Sequence, residues 1–245
     1  MYFIQKWNKF IGKSTLARIV ADINADGHLQ IQDWRYLVSF YSKHKNEILQ
    51  YKKRMERLFG VRGRIYIDRR KHLRYKLFFI SKELALFLIT IGVVEGRKTD
   101  TIFFVPEWIK NGIKKIQSAY LRGLYDYEGC IETTKQANGR PCWRISISQN
   151  KNENINENGR YYMEEIRKMI NKFGIKTSPV RFNHKRLRKD GSVSIENRFD
   201  IEHSSFNKFY KHIGFDNKNK RERLLQSLQS VRVAKRLRHE AAKYY

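Results

Sequence analysis

Hydrophobic and polar residues follow two different periods along the first hundred residues of this chain. Within 62–70, Gly63, Ile65 and Ile67 alternate with mostly polar side chains, which is the period of a half-buried strand. Within 45–59 the apolar residues recur every three or four positions, which predicts an amphipathic helix. These periods predict the order helix, two strands, helix, two strands, helix. The predicted elements are a helix ending at Asp26, strands 28–32 and 35–42, helix 45–59, strands 62–70 and 74–80, and helix 81–91.

The second part of the chain repeats this order, and short landmarks recur with it. Phe59-Gly60-Val61 returns as Phe173-Gly174-Ile175, and Ile91-Gly92-Val93 returns as Ile213-Gly214-Phe215. Such self-similarity predicts two modules of the same topology. The second set of predicted elements comprises strands 130–136 and 141–150, an exposed Asn-rich loop at 150–159, helix 160–173, strands 178–188 and 193–202, helix 204–213 and a basic helix from 220. In this last helix, Leu224, Leu225, Leu228 and Val231 should pack against the rest of the protein.

We therefore expect an α+β fold of two pseudo-symmetric αββαββα modules, 1–104 and 118–245, with a linker at 105–117. Each antiparallel sheet has one apolar face, which helices must cover. The other face carries Arg, Lys, Gln, Ser and His, and the two polar faces together would form a saddle. Strands of about ten residues span about 30 Å, so two sheets end to end would reach about 60 Å. That length corresponds to a long DNA site.

One helix end occurs twice, in 19–27 and again in 121–129, and each copy closes with an acid followed by glycine. The acids are Asp26 and Glu128. We expect the glycines to adopt the left-handed conformation that ends a helix. A carboxylate at a helix C-terminus faces the negative end of the helix dipole, so it favours a nearby cation. Two such ends in contact would suit a divalent metal ion.

The two copies resemble the signature of the LAGLIDADG homing endonucleases. The first copy departs from it, with Ala21 where the family usually has glycine and Asp22 where it usually has an apolar residue. The second copy matches closely through Leu121, Gly123, Leu124, Asp126, Glu128 and Gly129.

The resemblance implies a catalytic metal site at the two helix ends. Its ligands would be the carboxylates of Asp26 and Glu128, assisted by the main-chain carbonyls of Ala25 and Tyr127. The implied cofactor is Mg²⁺, with Mn²⁺ as a substitute and Ca²⁺ supporting binding only. Such ions supply a nucleophilic water and neutralise charge on the phosphate. The alternative is a purely structural role, in which the two acids only cap the helix ends or form ion pairs with lysine.

Four further polar residues are candidates for the reaction. Gln149 shares its strand parity with apolar neighbours and should point towards the helix ends, and Ser42 has the corresponding parity in the first module. Lys98 and Lys220 each follow a repeated Ile-Gly by the same interval and would stabilise developing charge. Solvated loop lysines are the alternative for this pair.

The charge of the chain indicates a polyanionic partner. Its 245 residues contain 51 Lys and Arg against 24 Asp and Glu, a formal net charge of +27. Ribosomal proteins and RNA chaperones share this property, so charge alone does not choose among them. We expect side chains on alternate strand positions to contact DNA. These candidates are His28, Gln30, Gln32, Arg62, Arg64, Arg70, Arg74, Lys76, Lys135, Arg140, Arg144, Arg181, Lys185, Arg186, Arg188 and Arg198.

The leading hypothesis is a monomeric, intron-encoded DNA endonuclease that makes a staggered double-strand cut in a long asymmetric site. An RNA maturase of the same fold, acting on intron RNA, is one alternative. A non-catalytic DNA-binding derivative is another, although both motifs retain an acid. No apolar run approaches 18 residues and no leader pattern precedes the first helix, so we expect no membrane partner. The expected location is intracellular, in the cytoplasm or nucleoid or in an organelle.

Overall fold

The computed structural model describes residues 6–69, 74–135, 139 and 141–241, with side chains described as far as 230. In this part of the chain, two four-stranded antiparallel sheets alternate with helices. The strands are β1 Gly27–Gln32, β2 Arg35–Ser42, β3 Arg64–Asp68, β4 Arg74–Ile80, β5 Gly129–Lys135, β6 Pro141–Asn152, β7 Arg181–Leu187 and β8 Val193–Ile201. The helices are α1 Ser14–Ala25, α2 Lys45–Phe59, α3 Lys82–Thr90, α4 Glu107–Lys110, α5 Lys114–Tyr127, α6 Asn156–Asn171, α7 Phe206–His212 and α8 Lys218–Ala241.

The two sheets have the same topology, which confirms the predicted repeat. Their strand orders are β1-β2-β4-β3 and β5-β6-β8-β7, all antiparallel. In the first sheet Leu29 lies opposite Val38, which lies opposite Phe79, and all three are buried. The alternation in the sequence therefore fixed which face of the sheet packs against the helices.

Helices α1 and α5 pack against each other at the centre of the molecule. A Cβ placed on Gly123 would lie 2.6 Å from the Cβ of Ala21, so only small residues fit at this crossing. Leu16, Ile19 and Leu121 beside it are fully buried. This close approach brings the C-terminal ends of the two helices to the same place.

The Asn-rich segment is the main error of the sequence prediction. Strand β6 continues to Asn152, and α6 begins at Asn156, so most of 150–159 is regular structure rather than an exposed loop. Asn158 donates to the carbonyl of Phe103 at 3.0 Å and accepts from its N–H at 3.2 Å. The polar side chains of this segment satisfy a buried backbone, which explains why a pattern typical of loops is ordered here.

The basic C-terminal helix packs against the second module as expected. Leu224 is fully buried and Leu228 nearly so, whereas Leu225 is 39% exposed. The predicted contact of Val231 lies outside the residues whose side chains are described. No helix in the described part of the chain is long and apolar enough to cross a membrane.

Candidate active site

Asp26 and Glu128 occupy equivalent positions immediately after α1 and α5. Asp26 donates its backbone N–H to the carbonyl of Asp22, and Glu128 donates to that of Leu124 at 2.8 Å. Both residues keep helical backbone angles, with φ of −97° and −87°. Each carboxylate is therefore held at the last turn of its helix, next to carbonyls that have no further intrahelical donor.

The glycines after these acids are required for space, not for a left-handed turn. Neither Gly27 nor Gly129 has a positive φ, so the expected conformation is wrong. A Cβ on Gly129 would lie 2.5 Å from the carbonyl oxygen of Tyr125, and one on Gly27 would lie 2.6 Å from the Cα of Ile23. The strand leaves by folding directly back over the helix end, and only glycine permits that approach.

Both carboxylates are harder to ionise than exposed acids. Burial raises the pKa of Glu128 to about 7, and the negative charge of Asp26 adds to this shift. The pKa of Asp26 is also raised, first by desolvation and then by Glu47. Nearby Lys98 and Lys220 act in the opposite direction on both acids. Among the described residues, neither carboxylate has a hydrogen bond or salt bridge of its own, so their oxygens remain available to an external cation.

The two predicted lysines do lie at the helix ends. Lys98 donates to the carbonyls of Ala25 and of Gly27, the latter at 2.6 Å. Lys220 donates to the carbonyls of Asp126 at 2.7 Å, Gly129 at 2.6 Å and Tyr125 at 3.2 Å. They are not solvated loop residues: each ammonium group binds the negative end of a helix dipole beside an acid.

Burial weakens the charge on both lysines. It lowers the pKa of Lys98 to about 8, against the opposing effects of Glu128 and Asp26. The pKa of Lys220 is lowered for the same reason. The site is thus a compact arrangement of two acids and two cations, with pKa values drawn towards neutrality.

Two equivalent polar residues in the helices bring these lysines into place. Asn24 accepts the N–H of Val94 at 3.0 Å and donates to the carbonyl of Gly92 at 3.2 Å. Asp126 accepts the N–H groups of Asp216 at 2.9 Å and Asn217 at 3.0 Å. Each of these side chains therefore fixes the segment that follows a repeated Ile-Gly. That segment leads to the lysine that binds the same helix end.

The donor set fits a divalent cation that keeps part of its water shell. Two carboxylates whose mutual repulsion a cation would relieve face the same region, with main-chain carbonyls beside them. The carbonyl of Ala25 accepts one hydrogen bond from Lys98, whereas the carbonyl of Tyr127 accepts none from a lysine in the described residues. No cluster of three His, Cys, Asp or Glu suited to a metal occurs in the ranges described. Mg²⁺ commonly uses one or two carboxylates, with water and phosphate completing its shell.

Gln149 lies on the buried face of β6, as predicted from its parity. The strand does not end there but continues for three residues. Gln149 is 8% exposed, and its amide donates to the carbonyl of Asn150 at 3.4 Å. Its predicted role with water stays a prediction. Ser42 donates to Glu47 at 2.6 Å, and this carboxylate is the one that raises the pKa of Asp26.

A buried charge network beneath the site was missed by the sequence analysis. Arg18 binds Asp22, Asp126 and Asp216, each at 2.6 Å, and Arg54 binds Asp22 at 2.7 Å. It connects α1 to α2, α5 and the segment before α8. The unusual acid at Asp22, noted as a departure from the family pattern, was the available signal, because a buried carboxylate requires a cation.

The predicted DNA-contacting residues are distributed over two kinds of surface. Arg64, Arg74 and Lys76 lie on the open face of the first sheet with His28, Gln30 and Gln32. Arg62 is exposed just before β3, and Lys135 is exposed at the end of β5. Arg70 and Arg140 lie outside the described residues.

Most candidate basic residues of the second sheet and its hairpin are already paired with acids. Arg144 and Arg198 contact Glu132, and Arg181 contacts Asp200 at 2.5 Å. On the β7–β8 hairpin, Lys185 binds Glu153 at 2.6 Å, Arg188 binds Asp100 at 2.7 Å, and Arg186 lies exposed. Contact of all these residues with DNA stays a prediction.

Comparison with known proteins agrees with the fold and the repeated helix end. Residues 115–214 match the LAGLIDADG-like domain family. The structure of I-DmoI in complex with DNA and Mn is similar with a TM-score of 0.54 and 20% sequence identity, covering 83% of this chain and 97% of that one. The chain thus has the fold of I-DmoI, and its second module matches the LAGLIDADG-like domain family, as the duplicated motif predicted.

Segments of longer proteins are also similar to this chain. It is 31% identical over 177 residues to the tRNA-splicing ligase RtcB of Methanopyrus kandleri, which covers 67% of this chain and 17% of that protein. It is 28% identical over 228 residues to the RNA polymerase subunit Rpo1N of Methanocaldococcus jannaschii, which covers 86% of this chain and 16% of that protein. The chain spans less than a fifth of the length of either relative. Since the two have unrelated activities, the similarity concerns a segment that they share and not the activity of either.

Proposed function

We propose that this protein is a site-specific DNA endonuclease that uses divalent metal ions at Asp26 and Glu128. The observation that carries the proposal is the pair of carboxylates at the ends of α1 and α5, which have no hydrogen-bond or ion-pair partner within the described ranges. They are close enough for Asp26 to raise the pKa of Glu128. Paired acids of this kind are costly to a fold unless a cation binds them. Structures of I-DmoI were determined with DNA and Mn, Mg or Ca, which supports divalent metal as that cation.

In this mechanism the protein supplies the carboxylates and a positively charged surround. Divalent ions bound by Asp26 and Glu128 would activate water and screen the phosphate. Lys98 and Lys220 hold the helix ends fixed through the carbonyls of Gly27 and Gly129. Their charge lies beside both acids and attracts the phosphate backbone. Burial lowers the pKa of Lys98 to about 8, so its ammonium group is less firmly protonated than that of an exposed lysine.

The duplicated architecture supports a cut in both strands of one duplex. Each module contributes one acid, one lysine and one sheet to the same region, so a single chain contains both halves of the site. Each acid would serve one strand, which gives a staggered cut, and unequal sheets would select unequal half-sites. We propose that the protein acts as a monomer on double-stranded DNA.

A cleavage assay with two metals tests this function. A plasmid carrying the genomic sequences that flank the coding frame, joined together, is incubated with the protein in Mg²⁺ or in Ca²⁺. We expect linear plasmid with cohesive ends in Mg²⁺, and retention of the uncut plasmid fragment in a binding assay in Ca²⁺. A protein that neither binds nor cuts duplex DNA, but binds structured intron RNA, would contradict the proposal.

A further inference from the structure

The open faces of the two sheets are chemically different at equivalent positions. The ladder pairs Gly27 with Phe40 and Gly129 with Ile147, and these two glycines follow the equivalent acids. Phe40 and Ile147 are thus equivalent, and their partners across the sheet are Leu77 and Phe199. This register assigns a counterpart in the second module to each strand position that the two sheets share.

The first sheet has apolar residues where the second has polar ones. On the face away from the helices, Leu37 corresponds to Arg144, and Phe78 corresponds to Asp200. The same register gives the further equivalent pairs Tyr41 and Ser148, and Tyr66 and Arg181. Glu202, one residue beyond the end of β8, follows Ile201 as Ile80 follows the equivalent Phe79. Since the helices cover the opposite face, burial in the core does not account for these apolar residues.

Leu37, Phe78 and Ile80 line a groove on this face. The other lining residues are Trp34, Tyr36, the amides Gln30 and Gln32, and the cations Arg35 and Lys76. Ile80 is 69% exposed, Tyr66 is 56% exposed, and Trp34 at the tip of the β1–β2 hairpin is 77% exposed. The ammonium of Lys76 lies 5.3 Å from the ring of Tyr41, and the guanidinium of Arg35 lies 5.2 Å from that of Trp34. Positive charge around an apolar floor is complementary to an anionic partner that presents apolar groups.

In duplex DNA the major groove presents one such group, the C5-methyl of thymine, while the other edge groups are hydrogen-bond donors and acceptors. The second sheet has the opposite character, because Arg144 and Arg198 are held by Glu132 and offer fixed polar groups. The side chains of Leu37, Phe78 and Ile80 cannot distinguish bases by hydrogen bonds, which on this sheet would come from neighbours such as Gln30 and Gln32. These three side chains would gain free energy mainly by burying methyl groups.

We propose that the first sheet selects a thymine-rich half-site through contacts with the C5-methyl groups, whereas the second sheet selects its half-site through hydrogen bonds. This proposal rests on the proposed function, since it requires the sheets to bind duplex DNA. It assigns Leu37, Phe78 and Ile80 as specificity-determining residues of the first half-site.

The test is a binding selection in Ca²⁺ from duplexes with a random insert of about 20 base pairs, the length that two sheets would span. We expect one half of the selected sequence to be rich in thymine. Replacing thymine by deoxyuridine in that half removes only the methyl groups, and should weaken binding about fourfold for each methyl contacted. The same replacement in the other half should leave the affinity unchanged.

A matched pair of variants identifies which half contacts the first sheet. Ile80→Ser removes an exposed apolar side chain, and Glu202→Ser alters the equivalent position in the second module. Ile80→Ser should reduce the deoxyuridine effect in the thymine-rich half, and Glu202→Ser should not. Equal binding of thymine and deoxyuridine duplexes would overturn the inference and leave the endonuclease proposal standing.

Two other results would separate the proposals further. If no duplex is enriched and no DNA is bound, the proposed function itself fails. If the chain is a dimer in sedimentation and Ile80→Ser dissociates it, the groove is covered by a second copy and the thymine inference is wrong.

Discussion

The ammonium of Lys151, in the second module, donates a hydrogen bond to the backbone carbonyl of Lys98, in the first, at 2.8 Å. Lys151 is completely buried, and it also donates to the carbonyl of Thr101. Its Nζ lies 3.9 Å from the centre of the Phe103 ring. A strand of one module thereby holds the loop that places the active-site lysine of the other.

Replacement of Lys151 by Met should destabilise the protein and impair cleavage. Met has similar length but leaves two buried carbonyls without donors, at a cost of about 1–3 kcal/mol each. The loop would then hold Lys98 less well against the end of α1. Urea unfolding measures the first effect, and single-turnover cleavage the second. Lys53→Met removes an exposed lysine from α2 and is the control; equal losses in both variants would contradict the assigned role.

The same lysine should make stability depend on pH in the alkaline range. Burial lowers the pKa of Lys151 from the ordinary value of 10.5 to about 8. Between these values the unfolded chain binds more protons than the folded one, so the free energy of unfolding rises with pH. This group contributes at most about 3 kcal/mol over that range, at about 1.4 kcal/mol for each pKa unit.

Denaturation of the wild type and Lys151→Met between pH 7 and pH 10.5 isolates this contribution, because other groups titrate in both proteins. The wild type should gain stability relative to the variant as the pH rises. A difference that stays constant across the range would show that Lys151 is protonated throughout in the folded protein.

The sequence predicted the repeat, the sheet faces and the two acids because each depends on a local pattern. Alternation at Leu29 and Ile31, or an acid followed by glycine, needs no knowledge of distant contacts. The role of Lys151 could not be predicted in this way, since its partners are backbone carbonyls about fifty residues earlier in the chain. Asn158 was misread for the same reason: the backbone groups that it satisfies belong to Phe103, 55 residues earlier in the chain.

Asn24→Asp should destabilise the protein, although it makes the first motif more like the second. The amide of Asn24 donates to the carbonyl of Gly92, and a carboxylate would instead oppose that oxygen. Asn24 is 1% exposed, so the new charge would be buried. We expect a loss of about 2 kcal/mol in the free energy of unfolding, measured with urea. A neutral or stabilising effect would show that the Gly92 contact is unimportant.

Substitution by asparagine distinguishes a glycine that is needed for its positive φ from a glycine that is needed because there is no space for a side chain. Gly60 ends α2 with φ of 69° and has no neighbouring atom within 4 Å of an added Cβ, so Asn should fit with little loss. Gly129 does not have a positive φ, but there is no space around it for a side chain. Gly129→Asn should therefore displace β5 or the end of α5. Thermal unfolding should show a much larger decrease in Tm for Gly129→Asn. A similar decrease in both variants would contradict the steric explanation.

The most direct test of the metal-dependent cut is the double variant Asp26→Asn and Glu128→Gln. It keeps the shape of the site but removes both charges that would bind the ions. The cleavage rate of bound duplex in Mg²⁺ should fall by at least about a hundredfold. Removal of a group that only orients a metal ligand already costs up to about a hundredfold in activity, and these residues are the proposed ligands themselves. Affinity for the duplex should remain close to that of the wild type. The control is the double variant Glu157→Gln and Glu164→Gln, which removes equal charge from α6. It should bind with similar affinity and should still cut. Cleavage by the Asp26 and Glu128 variant at the wild-type rate would show that these carboxylates are not the catalytic site.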